Sequence, residues 1–522
     1  MMRAQTTRIR RAIATVLSIG VIALAPMALA SGAQAAPGAS EIRDALEDNA
    51  PLRIGGLKLD RDPLAVAYRA RDFQPVWIAP EMTEALETAL GAAGRDGLDP
   101  ESFDYPALKA ALSGSALTPV GRELLLSDRF LAYARVMAQG RVSPSGIEDD
   151  WLLPSPGFDP AAVLSSLAQS KDVNATLAGL APPTPEYDRL RQALEHYEVL
   201  AADGGWQTIV TDQKIEPGQK GDIVRALRTR LAVEGDLDPA EARGDTFDPT
   251  VVAAMKRFQT RHGLEPDGRV GAGTLAALNV SAADRAEQLK LALERWREMP
   301  RTFAATRVVV NAAAAQLTLY RDGEPELASR VIVGDVDHPT PVLAARIVSA
   351  LFNPPWNVPA SITKKEIVPK LKRDPGYLDR NHYIYVGGHL QQTPGPWNAL
   401  GGVKFELPNP LDVYLHDTPT KPLFARSMRA ASHGCVRVQQ ARPLASVLLG
   451  ENWPPEAVDQ AIATGETQRV FLKTVMPVYL LYVTAFTDDD GTVEFRDDIY
   501  SRDQALAAAL ADREIRRHIP SG

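Results

Sequence analysis

The chain has 522 residues, of which 45% are hydrophobic and 23% are charged, and its formal net charge is -8 at pH 7. This length allows about three or four domains. The acidic balance argues against a general nucleic-acid-binding protein. Because Cys435 is the only cysteine, the chain cannot form an internal disulfide.

The N-terminus has the three parts of a secretory signal peptide. Arginines precede an apolar run at 12–30, and Ala33-Gln34-Ala35 supplies a cleavage site. An uncleaved membrane anchor is the alternative, since the run approaches the roughly 20 apolar residues that span a bilayer. Pro26 and the cleavage site favour removal. We therefore predict a signal peptide at 1–35 and a mature protein in the periplasm or cell envelope, with no stable membrane span.

The next block, from 40 to 202, has a helical pattern. Apolar residues recur every three or four positions in segments such as GRELLLSDRFLAYARVMAQG. Turn clusters such as LLPSPGFDP separate these segments. The pattern predicts an all-helical scaffold domain without evident chemistry.

A compact unit follows at 207–281. Asp248 and Pro249 suit the start of a helix, and two further short helices are predicted around it. The Phe258-Gln259 pair and the run DGRVGAGTL at 267–275 resemble the peptidoglycan-binding helical module found beside many cell-wall enzymes. The resemblance implies a three-helix bundle. Such bundles also serve as mere spacers.

A charged amphipathic helix at 282–303 leads into a block at 304–500 where the period changes from helical to alternating. Its candidate strands include RVVVN, LDVYLHD and PVYLLYVTAF. This block is predicted to be mainly β, and a C-terminal helix is predicted over 501–522.

The stretch ASHGCVRV places Cys435 beside His433. A cysteine nucleophile needs a base, because a free thiol with a pKa of about 8.5 is mostly protonated at neutral pH. His416, in the strand-like LDVYLHD, is the better candidate, since the chain can return and place Cys435 opposite it. Zinc is the other interpretation of these three residues, but the spacing is poor and no further cysteine is available. We expect no metal and no cofactor.

The neighbours of the cysteine suit acyl chemistry. Gly434 lets a substrate carbonyl approach backbone N–H groups, of which that of Cys435 is the favoured oxyanion donor. Tyr414 lies two residues before His416, on the same strand face, and can add a second donor. Arg437 can pair with a substrate carboxylate. Each residue also has a structural interpretation, as a packing group, an ion pair or a turn cap.

The segment YLHDTPTKPLFARSMRAASHGCVRV resembles the L,D-transpeptidase signature, a histidine followed at a distance by Ser/Thr-His-Gly-Cys and then Asn or Arg two places on. It is most similar to the large branch of that family, whose members carry a helical scaffold, a peptidoglycan-binding module and a catalytic-domain lid. Arg437, in place of the commoner asparagine, matches this branch. The implied fold class is multidomain α+β, with a mainly-β catalytic domain at 304–500 and a helical lid at about 353–408.

The resemblance implies a specific reaction. Cys435 would attack the third-residue carbonyl of a peptidoglycan tetrapeptide stem and expel D-alanine, with His416 as base and then acid. The thioester would pass to the amine of a neighbouring stem and form a 3-3 cross-link. The remaining implied site residues, which orient the base, hold the oxyanion or shape the site, are Asp417, Tyr414, Gly434, Ser432, His433 and Arg437.

Two alternatives stay open. The protein could be an L,D-carboxypeptidase or endopeptidase that gives the thioester to water, or a non-catalytic wall-binding scaffold. The sequence does not separate transfer from hydrolysis, because the first half-reaction is shared. The implied partners are peptidoglycan stem peptides and the sacculus, with glycan synthases and carboxypeptidases as further candidates and no nucleic acid. Cell wall biogenesis and cell shape would be the processes served.

Overall fold

The computed structural model describes residues 36–48, 50–114, 116–212, 214–488 and 490–518. The signal peptide predicted at 1–35 lies outside them. Across the described residues, no helix combines the length and the apolar character that a membrane span needs.

The N-terminal block packs its helices around one hydrophobic core that includes Leu124 and Phe130. Several helices begin at a proline that follows a capping side chain: Asp159 and Thr118 accept hydrogen bonds from first-turn N–H groups. The helices are α1 (Ala39–Glu47), α2 (Arg61–Arg69), α3 (Pro80–Gly91), α4 (Tyr105–Ser113), α5 (Pro119–Gln139), α6 (Pro160–Ser170), α7 (Val173–Ala178) and α8 (Pro185–Ala202).

Three short strands correct the all-helical prediction for this block. They are β1 (Arg53–Ile54), β2 (Leu57–Lys58) and β3 (Trp151–Leu152). The first two form a hairpin, and the third joins the catalytic sheet described below, where Trp151 is buried. Two-residue strands are too short to show a hydrophobic period, so the sequence pattern missed them.

The second block is a three-helix bundle formed by α9 (Asp222–Val233), α10 (Pro249–Arg261) and α11 (Ala272–Leu278). The Gln259 amide connects α10 to the turn before α11: it donates to Asp267 Oδ1 at 2.8 Å and accepts from Gly268 N–H at 2.8 Å. It therefore fastens the glycine turn to α10. The linker helix α12 (Ala282–Glu298) follows and packs against α8.

The third block carries the remaining elements. Its strands are β4 (Arg307–Asn311), β5 (Gln316–Arg321), β6 (Glu324–Gly334), β7 (Val342–Phe352), β8 (Trp356–Asn357), β9 (Tyr383–Val386), β10 (His389–Gln392), β11 (Val403–Glu406), β12 (Leu415–His416), β13 (Ala430–Ser432), β14 (Val436–Val438), β15 (Gln468–Leu481), β16 (Ala485–Thr487) and β17 (Val493–Phe495). Its helices are α13 (Ala360–Ile362), α14 (Val368–Arg373), α15 (Tyr377–Arg380), α16 (Ala441–Leu449), α17 (Pro455–Ala463) and α18 (Arg502–His518).

The main sheet closes on itself. Its strand order is β11-β12-β14-β6-β5-β4-β15-β7-β3, and β11 also pairs with β7. Side chains that alternate along these strands fill the interior, as in β4, where Val308 and Val310 are fully buried. This closed sheet is the rigid body on which the site is built. The predicted domain boundaries stay predictions.

Within the range predicted as a lid, about 353–408, residues 356–392 form a substructure with its own small sheet, which we call the lid. It was predicted to be helical, and the structure adds a three-stranded sheet in the order β8-β10-β9 to its short helices and one π-helical turn at Thr363–Ile367. The lid has a small hydrophobic cluster of its own, separate from that of the sheet: Val358, Ile362, Ile367, Tyr383 and Leu390. β11, which lies within the range predicted for the lid, belongs to the main sheet.

Candidate active site

Two neighbouring parallel strands bring the predicted base and nucleophile together. β12 ends at His416, and β14 begins directly after Cys435. The strands pair with Leu415 opposite Val436 and His416 opposite Arg437. The backbone ladder therefore sets the position of His416 relative to the nucleophile loop, independently of the long chain segment between them.

His416 is buried, and its Nδ1 hydrogen-bonds the carbonyl oxygen of Asp417. A carbonyl only accepts hydrogen bonds, so Nδ1 carries the proton and Nε2 is free to act as a base. Burial, with a smaller contribution from the Arg437 charge, lowers the pKa of His416 to about 3. The imidazole is therefore neutral at physiological pH.

Asp417 is held from several directions. Its N–H donates to Val403 O at 2.8 Å, and its Oδ2 accepts from Gly402 N–H at 3.0 Å. Lys421 forms an ion pair with Oδ1. The carbonyl that hydrogen-bonds His416 is thus held in place by contacts with the main sheet and its neighbours.

Cys435 is half-buried in the loop between β13 and β14. Burial raises the pKa of its thiol, while hydrogen bonds from the Tyr414 backbone and hydroxyl and the charges of Lys404 and Arg437 oppose that rise. With a neutral imidazole nearby, the resting pair is thiol and imidazole, not thiolate and imidazolium. An attack by this thiol would therefore require that its proton be transferred.

Three hydrogen bonds hold the loop that carries Cys435 in place. Ser432 Oγ donates to Cys435 O at 2.5 Å and accepts from Gly434 N–H at 3.2 Å. Thr340 Oγ1 donates to Gly434 O at 2.9 Å. Gly434 has a φ of 98°, a left-handed value that side chains disfavour. The glycine thus permits the turn that presents Cys435.

The Tyr414 ring lies beside that of His416, with 5.6 Å between their centroids. Burial raises the pKa of Tyr414, so its hydroxyl keeps its proton and can donate. Arg437 is half-buried and, among the described residues, its Nε has no hydrogen-bond partner. Burial lowers its pKa, and the nearby Cys435 opposes that change.

His433 points away from this pair, toward the lid. Its Nε2 lies 2.6 Å from Glu366 Oε1, and its ring centroid lies 4.9 Å from that of His338. The residue was predicted to shape a turn. That role stays a prediction, and the structure adds a contact with the π-helical turn of the lid.

Three residues of the site were missed in the sequence: Lys404, Trp356 and Glu366. The Lys404 ammonium lies 3.9 Å from the centroid of the Tyr414 ring, and Lys404 is paired with His416 across β11 and β12. The Trp356 side chain hydrogen-bonds the Tyr414 hydroxyl. The one signal in the sequence was the position of Lys404 between two apolar residues, Val403 and Phe405. Both are buried in the structure, and such alternation places Lys404 on the opposite face of a strand.

The structure describes no group of three or more His, Cys, Asp and Glu side chains that could hold a metal ion. The chemistry available to the described residues is that of a thiol, a neutral imidazole, a phenol and two cations.

Family models match three separate segments of the chain. The model described as "L,D-transpeptidase catalytic domain" matches residues 305–468, which contain the whole site above. Residues 305–468 therefore match the catalytic domain of the L,D-transpeptidase family. A model described as "Scaffold domain" matches 62–194, and one described as "Putative peptidoglycan binding domain" matches 220–278. The predicted family and fold class, with these three kinds of domain, are confirmed.

Relatives of the L,D-transpeptidase domain include a protein from Haemophilus influenzae named "Putative L,D-transpeptidase", which is 34% identical over 224 residues. The match covers 39% of this chain and 45% of that protein. A solved L,D-transpeptidase from Stackebrandtia nassauensis is 16% identical, covers 53% of this chain and 97% of its own, and has a TM-score of 0.23. A solved L,D-transpeptidase from Mycobacterium smegmatis is 14% identical and has a TM-score of 0.20. The match covers 34% of this chain and 59% of that protein.

Proposed function

We propose that the protein is a cysteine-dependent peptidoglycan L,D-transpeptidase that forms 3-3 cross-links in the cell envelope. The observation that carries the proposal is the placement of Cys435 within hydrogen-bonding reach of Tyr414 and directly before β14, the strand that pairs with the one carrying neutral, buried His416. A neutral imidazole beside a protonated thiol is the starting state that general-base activation requires.

In the first half-reaction, His416 Nε2 takes the thiol proton while Cys435 Sγ attacks the carbonyl carbon of the third stem residue. The Cys435 N–H and the Tyr414 hydroxyl stabilise the oxyanion, because the Gly434 N–H is already committed to Ser432. The tetrahedral intermediate expels D-alanine, whose nitrogen receives the proton from His416. A thioester on Cys435 remains.

In the second half-reaction, the side-chain amine of an acceptor stem attacks the thioester carbonyl. His416 takes a proton from the amine and returns it to the departing Cys435 sulfur, which regenerates the thiol. Lys404 and Arg437 keep the sulfur surrounded by positive charge. They favour its departure as thiolate and offer partners for the carboxylates of the two stems.

The other domains suit this role. The matched peptidoglycan-binding bundle would hold the polymer near the catalytic sheet, and the predicted signal peptide would export the chain to it. We assign the protein to cell wall biogenesis and the maintenance of cell shape on these grounds.

The test is mass spectrometry of products formed from purified disaccharide-tetrapeptide. Wild-type protein should give dimers one D-alanine lighter than two monomers, and Cys435→Ala should give none. Cys435→Ser is the matched control for loop geometry: it keeps a hydrogen-bonding group opposite Tyr414 but lacks an easily ionised nucleophile, and it should also be inactive.

Other outcomes point elsewhere. Tripeptide monomers without dimers would make the protein an L,D-carboxypeptidase, and cleavage of existing dimers would make it an endopeptidase. Unchanged substrate, together with no acylation by a carbapenem, would leave a wall-binding scaffold. Dimers formed equally by Cys435→Ala would refute the role of the thiol.

A further inference from the structure

A second cavity lies away from the catalytic thiol, between the three-helix bundle and the main sheet. Its volume is about 250 Å³. One wall is the turn 260–266 at the end of α10, and the other walls are the β4–β5 turn at 312–315 and the segment 425–430. This cavity therefore has contributions from two of the matched domains.

Four arginines line the cavity: Arg330, Arg426, Arg429 and Arg496. Two acids, Glu265 and Asp497, also line it, so the arginines outnumber the acids. Burial lowers the pKa of His262, a further lining residue, well below its ordinary value, so it adds no charge. In a chain with a net charge of -8, this local excess of positive charge is unusual.

The hydrogen bonds of Arg429 and Arg330 do not neutralise the charge of these two side chains. Arg429 donates to four backbone carbonyls, including Ala314 O at 3.0 Å, and Arg330 donates to Phe424 O at 3.2 Å. Carbonyls satisfy N–H groups but carry no net charge. Only Arg496 has an acidic partner, Glu494, among the described residues.

Unused donors remain at the cavity. The buried Nε of Arg429 has no hydrogen-bond partner within the described ranges. Arg426 is exposed at the rim, and no described side chain forms an ion pair with it. Burial and the charges of Arg330 and Arg496 lower the pKa of Arg429 to about 10. Like charges that face one empty volume are relieved by an anion placed between them.

We propose that this cavity is a second binding site, which holds a carboxylate of a peptidoglycan stem peptide that is not undergoing reaction. The proposal rests on the proposed function for the identity of the polymer. Guanidinium groups bind carboxylates in bidentate geometry. The volume is slightly below the roughly 300–1,000 Å³ of pockets for drug-sized ligands, so it suits one carboxylate-bearing end and not a glycan chain.

The position of the cavity links it to the nucleophile loop. Segment 425–430 continues directly into β13, and Arg429 O accepts from Val333 N–H at 2.9 Å on β6. Gly263, on the bundle side, has a φ of 68°, and a Cβ there would lie 2.7 Å from Arg496 Cδ. The bundle turn thus fits closely against the catalytic domain. A bound stem carboxylate would hold the two domains together on the same sacculus.

The experiment uses the full mature chain with its thiol acylated by a carbapenem, so that the catalytic site is blocked. The probe is the disaccharide-tripeptide of peptidoglycan, titrated by isothermal calorimetry, with the same compound amidated at its carboxylates as the second arm. Wild-type protein should bind the first probe saturably, and amidation should abolish that binding.

Arg426→Glu is the informative variant, because its exposed side chain supports no described fold contact. We expect its affinity for the probe to fall about tenfold or more, the equivalent of one lost charge-assisted hydrogen bond. Arg53→Glu, the same charge change at an exposed site of β1, should bind like wild type. A charge effect limited to Arg426 would support the site.

Equal affinity of Arg426→Glu and wild type, equal binding of the amidated probe, or no saturable binding to wild type would each overturn the proposal. A different experimental result would show that the proposed function is wrong. If wild-type protein does not become acylated by the carbapenem, the proposed function is refuted. The affinities of Arg426→Glu and wild type for the probe still show whether the cavity is a binding site.

Discussion

The nucleophile loop and the lid meet at the same site but are held in different ways. The loop at 432–435 is fixed by buried hydrogen bonds to its own backbone and to Thr340. The lid rests on a small hydrophobic cluster of its own and reaches the site through two polar side chains, Trp356 and Glu366. We infer that the sheet sets the chemistry and that the lid adjusts access to it.

The comparison predicts that substitutions on the sheet side change rates far more than those on the lid side. His416→Gln should slow acylation of Cys435 by a carbapenem about 10²- to 10⁴-fold, since it removes the general base. Intact-mass measurements over time provide the rate. His389→Gln, the same change at an exposed lid position, should leave the rate unchanged. Similar acylation rates for both variants would refute the conclusion that the sheet side controls the rate more than the lid side.

Tyr414→Phe should slow acylation by about 10²- to 10³-fold, because it removes one oxyanion donor while keeping the ring. The loss should appear in kcat and not in KM, since the interaction forms in the transition state. Tyr385→Phe, in an exposed part of the lid, is the control. A Tyr414→Phe enzyme with unchanged kcat would show that the ring only packs.

The burial of His416 also predicts a pH dependence of stability. The unfolded histidine has a pKa of about 6.5, whereas burial lowers the folded pKa to about 3. Between these values only the unfolded chain binds the proton, so the free energy of unfolding falls by about 1.4 kcal/mol for each pH unit below 6.5. This contribution is fully present above pH 6.5.

Urea unfolding of wild type and His416→Gln from pH 7 to pH 5 measures that slope. The difference between the two proteins isolates His416, because the buried His262 contributes equally to both. Parallel stability curves would mean that the imidazole accepts a proton in the folded state. His389→Gln should follow the wild-type curve.

Lys404→Met should raise the pKa of the Cys435 thiol, since it removes one of the charges that oppose the effect of burial. A rise of about one unit would slow alkylation by iodoacetamide about tenfold at neutral pH. The pH profile of alkylation should shift to higher pH. Lys473→Met, at an exposed position of β15, should not shift it. An unshifted profile for Lys404→Met would assign that lysine to packing alone.

Glu366→Gln should have the smallest effect. The contact between Glu366 Oε1 and His433 Nε2 is partly exposed, and even a charged pair in such a place contributes only about 0.2–1 kcal/mol, so the change in kcat/KM should be within about fivefold. Any electrostatic part of the effect should disappear in high salt, because screening weakens interactions between partly exposed charges. Glu451→Gln is an exposed control. A hundredfold loss of kcat/KM would show that Glu366 of the lid takes part in catalysis.

The sequence predicted the parts of the molecule that depend on local pattern. Helical periodicity, proline starts and glycine turns mark the scaffold and the bundle, and the lone thiol with its histidine and glycine marks the nucleophile loop. The segment DVYLHD was correctly expected near a strand, although only Leu415 and His416 pair. These features involve neighbours in the chain, so a linear pattern records them.

The contacts that the sequence missed join distant segments. Lys404 reaches Tyr414 from another strand, Glu366 reaches His433 from the lid, and Trp151 enters the catalytic sheet from the scaffold block. None of these pairs leaves a periodic signal. The second cavity is of the same kind, because its walls come from five separate parts of the chain.

The parallel pairing of β12 with β14 has an evolutionary consequence. His416 and the nucleophile loop are aligned by the backbone ladder, so the segment 417–429 between them does not set their relative position. Insertions or deletions in this segment would be tolerated where they preserve the Asp417–Lys421 pair, buried Phe424 and the pairing of both strands. Descendants of this protein can therefore diversify that loop while inheriting an unchanged catalytic pair.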